Sequence, residues 1–599
     1  MEFEQKAEEK KMSMSKNIAR LAVTAGLTAA LSFGGVMAPV SMAFADGTTT
    51  TTNSITINKN KDNGSVKYKA YQIFEADVVD ESGKTGKTDK VVSNVKWATG
   101  VKDATRKAII KAINDYNKDK ADDLKTDASP QDVANWLTAN ITGTTNTTVL
   151  KDTDLLNTLA GLVAKGVNPT NPTNPTGTTD GSFAADTKVS FEKSGYYLFL
   201  TDAGTLPSGE SKTDSKNTAT SPIYAVVGAG AVEVTEKTSI PTVEKQVLEG
   251  TNWGKVSDSY IGEEVEYKLT GYVASNIATF NKYKYVFQDT LSKGLEVVKD
   301  SNDAAKDLHV YIDNKGEQTE VMQDANNGYE VALGQDNANK KENLTITFSN
   351  LKSVKDKTGA AIKVDANSSV VVTYKAKLNS QVEYKADGAT NEVKLVYSND
   401  PMSTGTGTSE SDEVTDYVFG LDVTKTDSDN TDKKLVASFK VKMTKEGDTE
   451  IPNGGKWLTQ EGGLVDDAGH AGVFTTNTDG KVFIPGLVEG TYEITESETP
   501  AGYNTIDPFT ITVTPTYDAT GTLTNLKVES SSNMATAKTE KSVTTTKIPV
   551  TIQNKKGSGL PLTGLNGVTF TWIAGGAVLC IGVAHLIRSR KQAEESEQE

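Results

Sequence analysis

Three predicted strands near the end of the chain each turn one polar side chain toward an apolar core. In each strand the polar residue shares a face with the apolar residues two and four positions before it. These three polar residues are Lys425, Glu496 and Asn554. An amine, an acid and a carboxamide are each costly to bury alone, so we expect the three side chains to meet.

Contact between these groups would allow a covalent reaction. Burial favours the neutral forms of the Lys425 amine and the Glu496 acid. A neutral amine can attack the Asn554 carboxamide while Glu496 polarises its carbonyl and transfers protons. The product is an amide crosslink between side chains, an isopeptide bond, with loss of ammonia. The alternative is a buried Lys425–Glu496 ion pair, with Asn554 merely at a strand end.

The same arrangement recurs in the middle of the chain. Lys245 and Asp289 each lie at alternate spacing from apolar neighbours on predicted strands. Two asparagines that flank a third predicted strand, Asn391 and Asn399, have the parity of its apolar residues. A second amine, acid and carboxamide could therefore meet in this region. The first part of the chain shows no comparable set.

The beginning of the chain has the pattern of an export signal. Lys16 and Arg20 precede an apolar run that closes on Ala43-Phe44-Ala45, the small-x-small pattern of a signal peptidase site. We expect residues 1–45 to be removed, so that the mature chain begins near Asp46. Translation starting at Met12 or Met14, and a membrane anchor in place of a signal peptide, remain alternatives.

The other end combines an apolar run with a short motif. Residues 568–587 are long enough to cross a bilayer, and a basic tail follows them. Directly before this run stand Leu560, Pro561, Leu562, Thr563 and Gly564. Motif, span and basic tail in this order resemble a cell-wall sorting signal, which implies that a sortase cleaves after Thr563 and joins it to an amine.

Composition limits the remaining possibilities. The 79 acidic and 63 basic residues give a net charge of -16, which argues against nucleic acid as a partner. The single cysteine, Cys580, lies in the apolar run, so the exported part has no disulfide to stabilise it. The histidines are scattered at His309, His470 and His585, which supports neither a His-centred triad nor a His-ligated metal site. We expect no metal or cofactor.

Short alternating runs separated by Gly, Asn and Asp predict an all-β chain of tandem immunoglobulin-like sandwiches. The length between the two ends suits about three domains, at residues 46–236, 237–415 and 416–556, followed by the sorting signal at 557–599. In the first domain we expect two short helical insertions, the second with Ser129 as N-cap and Pro130 at its first position. Predicted strands of the middle domain span residues 243–247, 264–272, 283–289, 343–348, 369–378 and 392–397.

Two segments resemble domains of Gram-positive pilins. Six residues match the E-box of CnaB-type domains, with Ile in place of Leu at the second: Tyr492, Ile494, Glu496, Pro500, Gly502 and Tyr503. In that family the E-box Glu catalyses a bond between a first-strand Lys and a last-strand Asn, the positions of Lys425 and Asn554 here. Residues 289–295 resemble the Asp-containing strand end of CnaA-like domains. This resemblance implies Lys245 as nucleophile, Asp289 as catalytic acid and Asn399 as acceptor, with Asn391 left open.

A third resemblance concerns a lysine between the first two domains. Residues 232–237 match the spacing of the pilin motif Val-x-Val-Tyr-Pro-Lys but lack its Tyr and Pro, and Gly228 stands where an upstream Trp is expected. The match implies that Lys237 is the exposed amine that links subunits. The alternative is that Lys237 is a solvated linker lysine without that role. Lys245 is the main competitor of Lys237 for the role of linking amine.

The whole organisation resembles the major, backbone pilins of the SpaA/FimA-like type. The resemblance implies a structural shaft subunit rather than an enzyme, joined head-to-tail from Thr563 to Lys237 of the next subunit. Implied partners are a pilus-type and a housekeeping sortase, identical subunits and peptidoglycan, with minor pilins and host ligands as further candidates. The implied location is the cell wall or fimbrium, after secretion and a transient membrane-anchored stage. A wall-anchored adhesin or minor pilin that is not polymerised is the main alternative, and a surface hydrolase is a weaker one.

Overall fold

The computed structural model describes residues 53–80, 90–117, 123–145, 147–174, 181–207, 215–336, 338–537 and 543–557. The predicted signal peptide, the sorting motif at residues 560–564 and the apolar run at 568–587 lie outside the described residues. Among the described residues, no helix has the length and apolar character needed to cross a membrane.

The described part of the first domain contains two sheets and three helices. One sheet has the strand order β5-β1-β8, and the other has β3-β2-β6-β7 with β4 added to β2. The strands are β1 (Ser54–Asn58), β2 (Lys67–Asp80), β3 (Lys90–Trp97), β4 (Phe183–Ala184), β5 (Lys188–Ser190), β6 (Gly195–Thr201), β7 (Ile223–Val227) and β8 (Ala231–Thr235). The helices are α1 (Asp103–Tyr116), α2 (Pro130–Asn140) and α3 (Leu155–Gly166).

The helices differ in part from the prediction. Helix α2 begins as expected. The Ser129 side chain accepts from the Asp132 backbone amide, and the Asp132 side chain accepts from the Ser129 backbone amide. The expectation of two helices is wrong, since the described part of this domain has three. Helix α3 buries Leu155, Leu159 and Val163 along one face against the same core as α1 and α2.

The middle domain is a sandwich of two seven-stranded sheets. One sheet runs β10-β9-β12-β19-β15-β16 with β14 on β19, and the other runs β11-β22-β20-β13-β18-β17 with β21 on β20. The strands are β9 (Thr242–Glu249), β10 (Asn252–Gly254), β11 (Val256–Asp258), β12 (Val265–Tyr272), β13 (Tyr285–Leu291), β14 (Leu295–Val297), β15 (His309–Asn314), β16 (Glu317–Glu320), β17 (Glu330–Asp336), β18 (Lys341–Phe348), β19 (Ser368–Leu378), β20 (Ala389–Ser398), β21 (Thr406–Thr408) and β22 (Asp412–Tyr417).

The last domain is a second sandwich, with a four-stranded sheet β29-β23-β34-β33 facing an eight-stranded sheet β27-β26-β24-β30-β31-β32 in which β25 and β28 pair with β24. The strands are β23 (Phe419–Asp427), β24 (Ser438–Glu446), β25 (Thr449–Glu450), β26 (Lys456–Leu458), β27 (Leu464–Val465), β28 (Phe474–Thr475), β29 (Lys481–Leu487), β30 (Gly490–Glu498), β31 (Phe509–Tyr517), β32 (Leu523–Ser530), β33 (Ala535–Ala537) and β34 (Lys547–Asn554). Short 3-10 helices lie at Ala203–Thr205, Ile277–Thr279, Leu351–Ser353, Pro452–Gly454 and Ala468–His470.

Alternation of side chains explains both sandwiches. Strand β19 buries every second residue from Ser368 to Leu378, and β30 does the same from Gly490 to Glu496. The apolar members of these faces form one core in each sandwich. The prediction of an all-β chain of tandem sandwiches is confirmed. Strand β22 continues to Tyr417, so the middle sheets extend two residues beyond the boundary we placed at 415.

Candidate functional site: two buried Lys–acid–Asn sets

The last domain brings its three predicted residues together. Lys425 on β23 and Asn554 on β34 belong to neighbouring parallel strands, in which Lys425 pairs with Ile552 and Asp427 with Asn554. Glu496 projects from β30 in the facing sheet. Its Oε1 lies 3.1 Å from Lys425 Nζ, and its Oε2 accepts from Asn554 Nδ2 at 2.9 Å. The carboxylate therefore bridges the amine and the carboxamide.

This site is closed to water. The side chains of Lys425 and Glu496 are fully buried, and burial lowers the pKa of Lys425 although the Glu496 charge opposes the shift. The segment after β30 covers the site: Thr499 Oγ1 and the Ile506 amide donate to Glu496 Oε2 at 3.0 and 3.2 Å. The Asn504 carbonyl accepts from Asn554 Nδ2 at 2.7 Å. A dry site favours a neutral amine, which is the nucleophilic form.

The middle domain pairs Lys245 with Asp289 across its two sheets. Lys245 lies on β9 and Asp289 on β13, and Lys245 Nζ forms an ion pair with Asp289 Oδ1 between two fully buried side chains. Burial lowers the pKa of Lys245 to about 8, although the Asp289 charge acts in the opposite direction. The two residues thus meet as the sequence pattern predicted.

The structure places Asn391, the alternative left open, beside this pair, and it places Asn399 elsewhere. Asn391 Nδ2 donates to the Tyr374 hydroxyl at 2.8 Å, and that hydroxyl donates to Asp289 Oδ2 at 2.5 Å. Asn399 instead donates to the Asn217 carbonyl at 3.0 Å. The two asparagines share a face of one chain segment but are eight residues apart, roughly 26 Å along an extended strand. Only the nearer one can reach Lys245.

Asn399 has a different place in the molecule. Its side chain and backbone both contact the first domain, since its carbonyl oxygen accepts from the Ala219 amide at 2.7 Å. Nearby, the hydroxyls of Thr218 and Tyr397 are 2.9 Å apart, and across the same junction Lys352 Nζ pairs with Asp152 at 2.9 Å. These contacts join the first domain to the middle one, so Asn399 is a docking residue.

Lys237 lies at this junction, two residues after β8. Its amide donates to Thr220 Oγ1 at 2.9 Å, and its carbonyl accepts from the Ser221 amide at 3.1 Å. The residue is half-buried rather than fully exposed as we expected. Burial lowers its pKa to about 8. The Lys237 amine is thus less exposed than we expected, and the neighbouring 218–221 segment contacts the Lys237 backbone.

Sequence reasoning missed Tyr374. It has the parity of Val370 and Val372 on β19, so it was indistinguishable from an ordinary core aromatic. Among the described residues, no group of three or more His, Cys, Asp or Glu side chains is arranged to hold a metal. Thr563 and the rest of the sorting motif lie beyond the described part of the chain.

One family model matches a segment of the last domain. Residues 420–527 match the SpaA prealbumin-like fold domain. The matched segment contains Lys425 and Glu496 and ends before Asn554. No match was found among curated proteins.

Several solved structures are similar to this chain. The T6 backbone pilin of Streptococcus pyogenes, described as a modular three-domain structure, is 16% identical with a TM-score of 0.46, covering 84% of this chain and 99% of its own. The major pilin SpaA of Corynebacterium diphtheriae is 12% identical with a TM-score of 0.39, covering 84% and 100%. The major pilin subunit BcpA of Bacillus cereus is 18% identical with a TM-score of 0.30, covering 65% and 91%.

Proposed function

We propose that this chain is the structural shaft subunit of a sortase-assembled Gram-positive pilus, reinforced by self-formed isopeptide bonds in its middle and last domains. The observation that carries the proposal is the buried Lys–acid–Asn set in each of these two sandwiches. Lysine and acidic side chains are seldom fully buried unless they are paired, because their desolvation is costly.

In the last domain the contacts define the reaction. Lys425 passes one proton to Glu496, and its neutral Nζ attacks Cγ of Asn554. The new Nζ–Cγ bond replaces the Cγ–Nδ2 bond, and Nδ2 leaves as ammonia after taking a second Lys425 proton through Glu496. Glu496 ends as a neutral acid. Its Oε2 already contacts Nδ2 in the unreacted arrangement, so this proton needs no larger movement.

The two bonds connect different parts of their domains. Lys425–Asn554 joins the first and last strands of the last sandwich, which lie side by side in one sheet. Lys245–Asn391 joins the two facing sheets of the middle sandwich. Tensile force applied to the two ends of the last domain would be carried by its crosslink and would not act on the strands between Lys425 and Asn554. This is the property that a fibre subunit without disulfides needs.

Polymerisation requires one donor and one acceptor on each subunit. We assign Thr563 as the acyl donor and Lys237 as the acceptor amine, with a pilus-type sortase as catalyst. Such a head-to-tail contact does not close on itself and so extends into a filament. A housekeeping sortase would then attach the filament to peptidoglycan. The lowered pKa of Lys237 supports its role, because a larger fraction of its amine is neutral at physiological pH.

Mass spectrometry tests the internal chemistry directly. The recombinant soluble chain, residues 46–557, should be lighter than its sequence by two molecules of ammonia. Tryptic digestion should yield two branched peptides, Lys425–Asn554 and Lys245–Asn391. An intact mass equal to the sequence would refute self-crosslinking in both domains. Extracts of native cell wall should show a ladder of multimers that resists SDS, whereas a wall-anchored adhesin would show monomer.

A further inference from the structure

The hydroxyl of Tyr374 lies at the centre of the middle-domain site. It accepts from Lys245 Nζ at 3.2 Å and from Asn391 Nδ2 at 2.8 Å, and it donates to Asp289 Oδ2 at 2.5 Å. It thus touches the attacking amine, the nitrogen that must leave and the acid. The proposed reaction has no other groups that exchange protons.

In the last domain the acid contacts the leaving nitrogen directly, with no hydroxyl between them. There Glu496 Oε2 accepts directly from Asn554 Nδ2. In the middle domain Asn391 Nδ2 instead contacts Tyr374. The Oδ1 atoms of Asn391 and Asn554 are both buried with no hydrogen-bond partner among the described residues.

Strand register and side-chain length account for the difference. Asp289 pairs with Val393 across β13 and β20, whereas Asn391 pairs with Leu291, two residues further along. Aspartate is also one methylene shorter than glutamate. Asp289 is therefore offset from the leaving nitrogen of Asn391, and the Tyr374 hydroxyl lies between the two groups.

We propose that Tyr374 is a catalytic residue of the middle-domain crosslink, carrying a proton from Asp289 to the Nδ2 atom of Asn391 as that nitrogen leaves. The inference rests on the self-crosslinking proposed above. It assigns to Tyr374 a role that the last domain does not need.

The proton transfers balance as follows. Lys245 gives one proton to Asp289, and its Nζ bonds to Cγ of Asn391. Tyr374 gives its hydroxyl proton to Nδ2 as the Cγ–Nδ2 bond breaks, and recovers a proton from Asp289. Lys245 Nζ then gives a second proton to Asp289. In total Nζ loses two protons, Nδ2 and Asp289 each gain one, and Tyr374 is unchanged.

The surroundings keep Tyr374 in place and protonated. The ring of Tyr374 stacks on the ring of Tyr267 with centroids 5.5 Å apart, and Lys245 Nζ lies 5.6 Å from the centroid of the Tyr374 ring. The residue is fully buried. Burial, reinforced by the Asp289 charge, raises the pKa of Tyr374 well above its usual value. The hydroxyl therefore carries its proton at neutral pH.

Tyr267 offers a matched control for the test. It pairs with Tyr374 on the adjacent strand β12 and is equally buried, but its hydroxyl faces Asp416 and forms no hydrogen bond with Lys245, Asp289 or Asn391. Tyr374→Phe and Tyr267→Phe each remove one buried hydroxyl from the same core. Only the first removes a contact to the reacting atoms.

The experiment follows crosslink formation in the mature chain after pulse labelling, by quantifying the two branched peptides over time. With Tyr374→Phe we expect the Lys245–Asn391 peptide to form about 100-fold more slowly, a typical loss for general acid–base catalysis. The Lys425–Asn554 peptide of the same molecules should form normally. With Tyr267→Phe both peptides should form at the wild-type rate.

The outcomes separate this inference from the proposed function. A wild-type chain without the Lys245–Asn391 peptide would refute the crosslink itself. A normal rate with Tyr374→Phe, or equal slowing in both phenylalanine variants, would overturn the role of Tyr374 alone. Fluorotyrosine at position 374 covers the case in which phenylalanine disturbs folding, since it keeps the hydroxyl but makes it a stronger acid. An unchanged rate with that analogue would also overturn the inference.

Discussion

Replacing Glu496 with alanine removes the acid that bridges Lys425 and Asn554 and should leave the last domain folded but without its crosslink. The packing face of β30 survives, because Tyr492 and Ile494 still fill the core. What is lost is the route by which protons leave the amine and reach the departing nitrogen. The intact mass of the variant should exceed that of a doubly crosslinked chain, corrected for the substitution, by one ammonia.

The stability change can be worked from the positions of the two linked residues. The crosslink closes a loop of 554 − 425 = 129 residues in the unfolded chain. By the chain-entropy relation used for disulfides, losing it costs about 5 kcal/mol. For a domain of this size that corresponds to a decrease in Tm of roughly 15 to 25 °C. The Lys425 amine, left buried without its acid, adds to the loss.

Differential scanning calorimetry and trypsin digestion of purified wild-type and variant chains would measure the effect. The middle domain provides an internal control, since its own branched peptide and its transition should be unchanged. The isosteric Glu496→Gln variant should behave like the alanine variant, because it keeps the shape but cannot shuttle protons. A variant that crosslinks, or that melts and resists trypsin like the wild type, would refute the reasoning.

Three further outcomes are expected. Asn391→Ala should abolish the middle-domain branched peptide, whereas Asn399→Ala should leave it intact and weaken the junction with the first domain; the reverse pattern in peptide maps would restore Asn399 as acceptor. Lys237→Arg should replace the multimer ladder in wall extracts with monomer. The same change at the exposed Lys61 should not, although Lys61 follows Asn60, whose side chain donates to the Thr238 carbonyl; a persistent ladder with Lys237→Arg would move the link to another lysine. The rate of acylation of Lys237 by an amine-reactive reagent should rise about tenfold per pH unit up to pH 8 and level off above it, because the pKa of Lys237 is lowered to about 8. A rate that continues to rise to pH 10, as for an ordinary lysine, would show that the amine is not desolvated.

The sequence alone determined which side chains face inward. The two-residue period of a strand places Lys425, Glu496 and Asn554 on apolar faces, and it does the same for Lys245 and Asp289. A buried amine needs a buried acid, so the alternation also indicates which acid each lysine meets. Fold class followed from the same periodicity, because short alternating runs separated by turn residues are compatible with little else.

Only the tertiary structure decided where along each strand the groups meet. Alternation gives Asn391 and Asn399 the same face, but strand pairing places the first beside the reactive site and the second against another domain. Tyr374 could not be distinguished from a core aromatic until the facing sheet brought three polar atoms to its hydroxyl. The half-burial of Lys237 likewise could not be read from the alternation of its own strand. Periodicity defines a face of a strand, whereas position on that face depends on contacts between residues far apart in sequence.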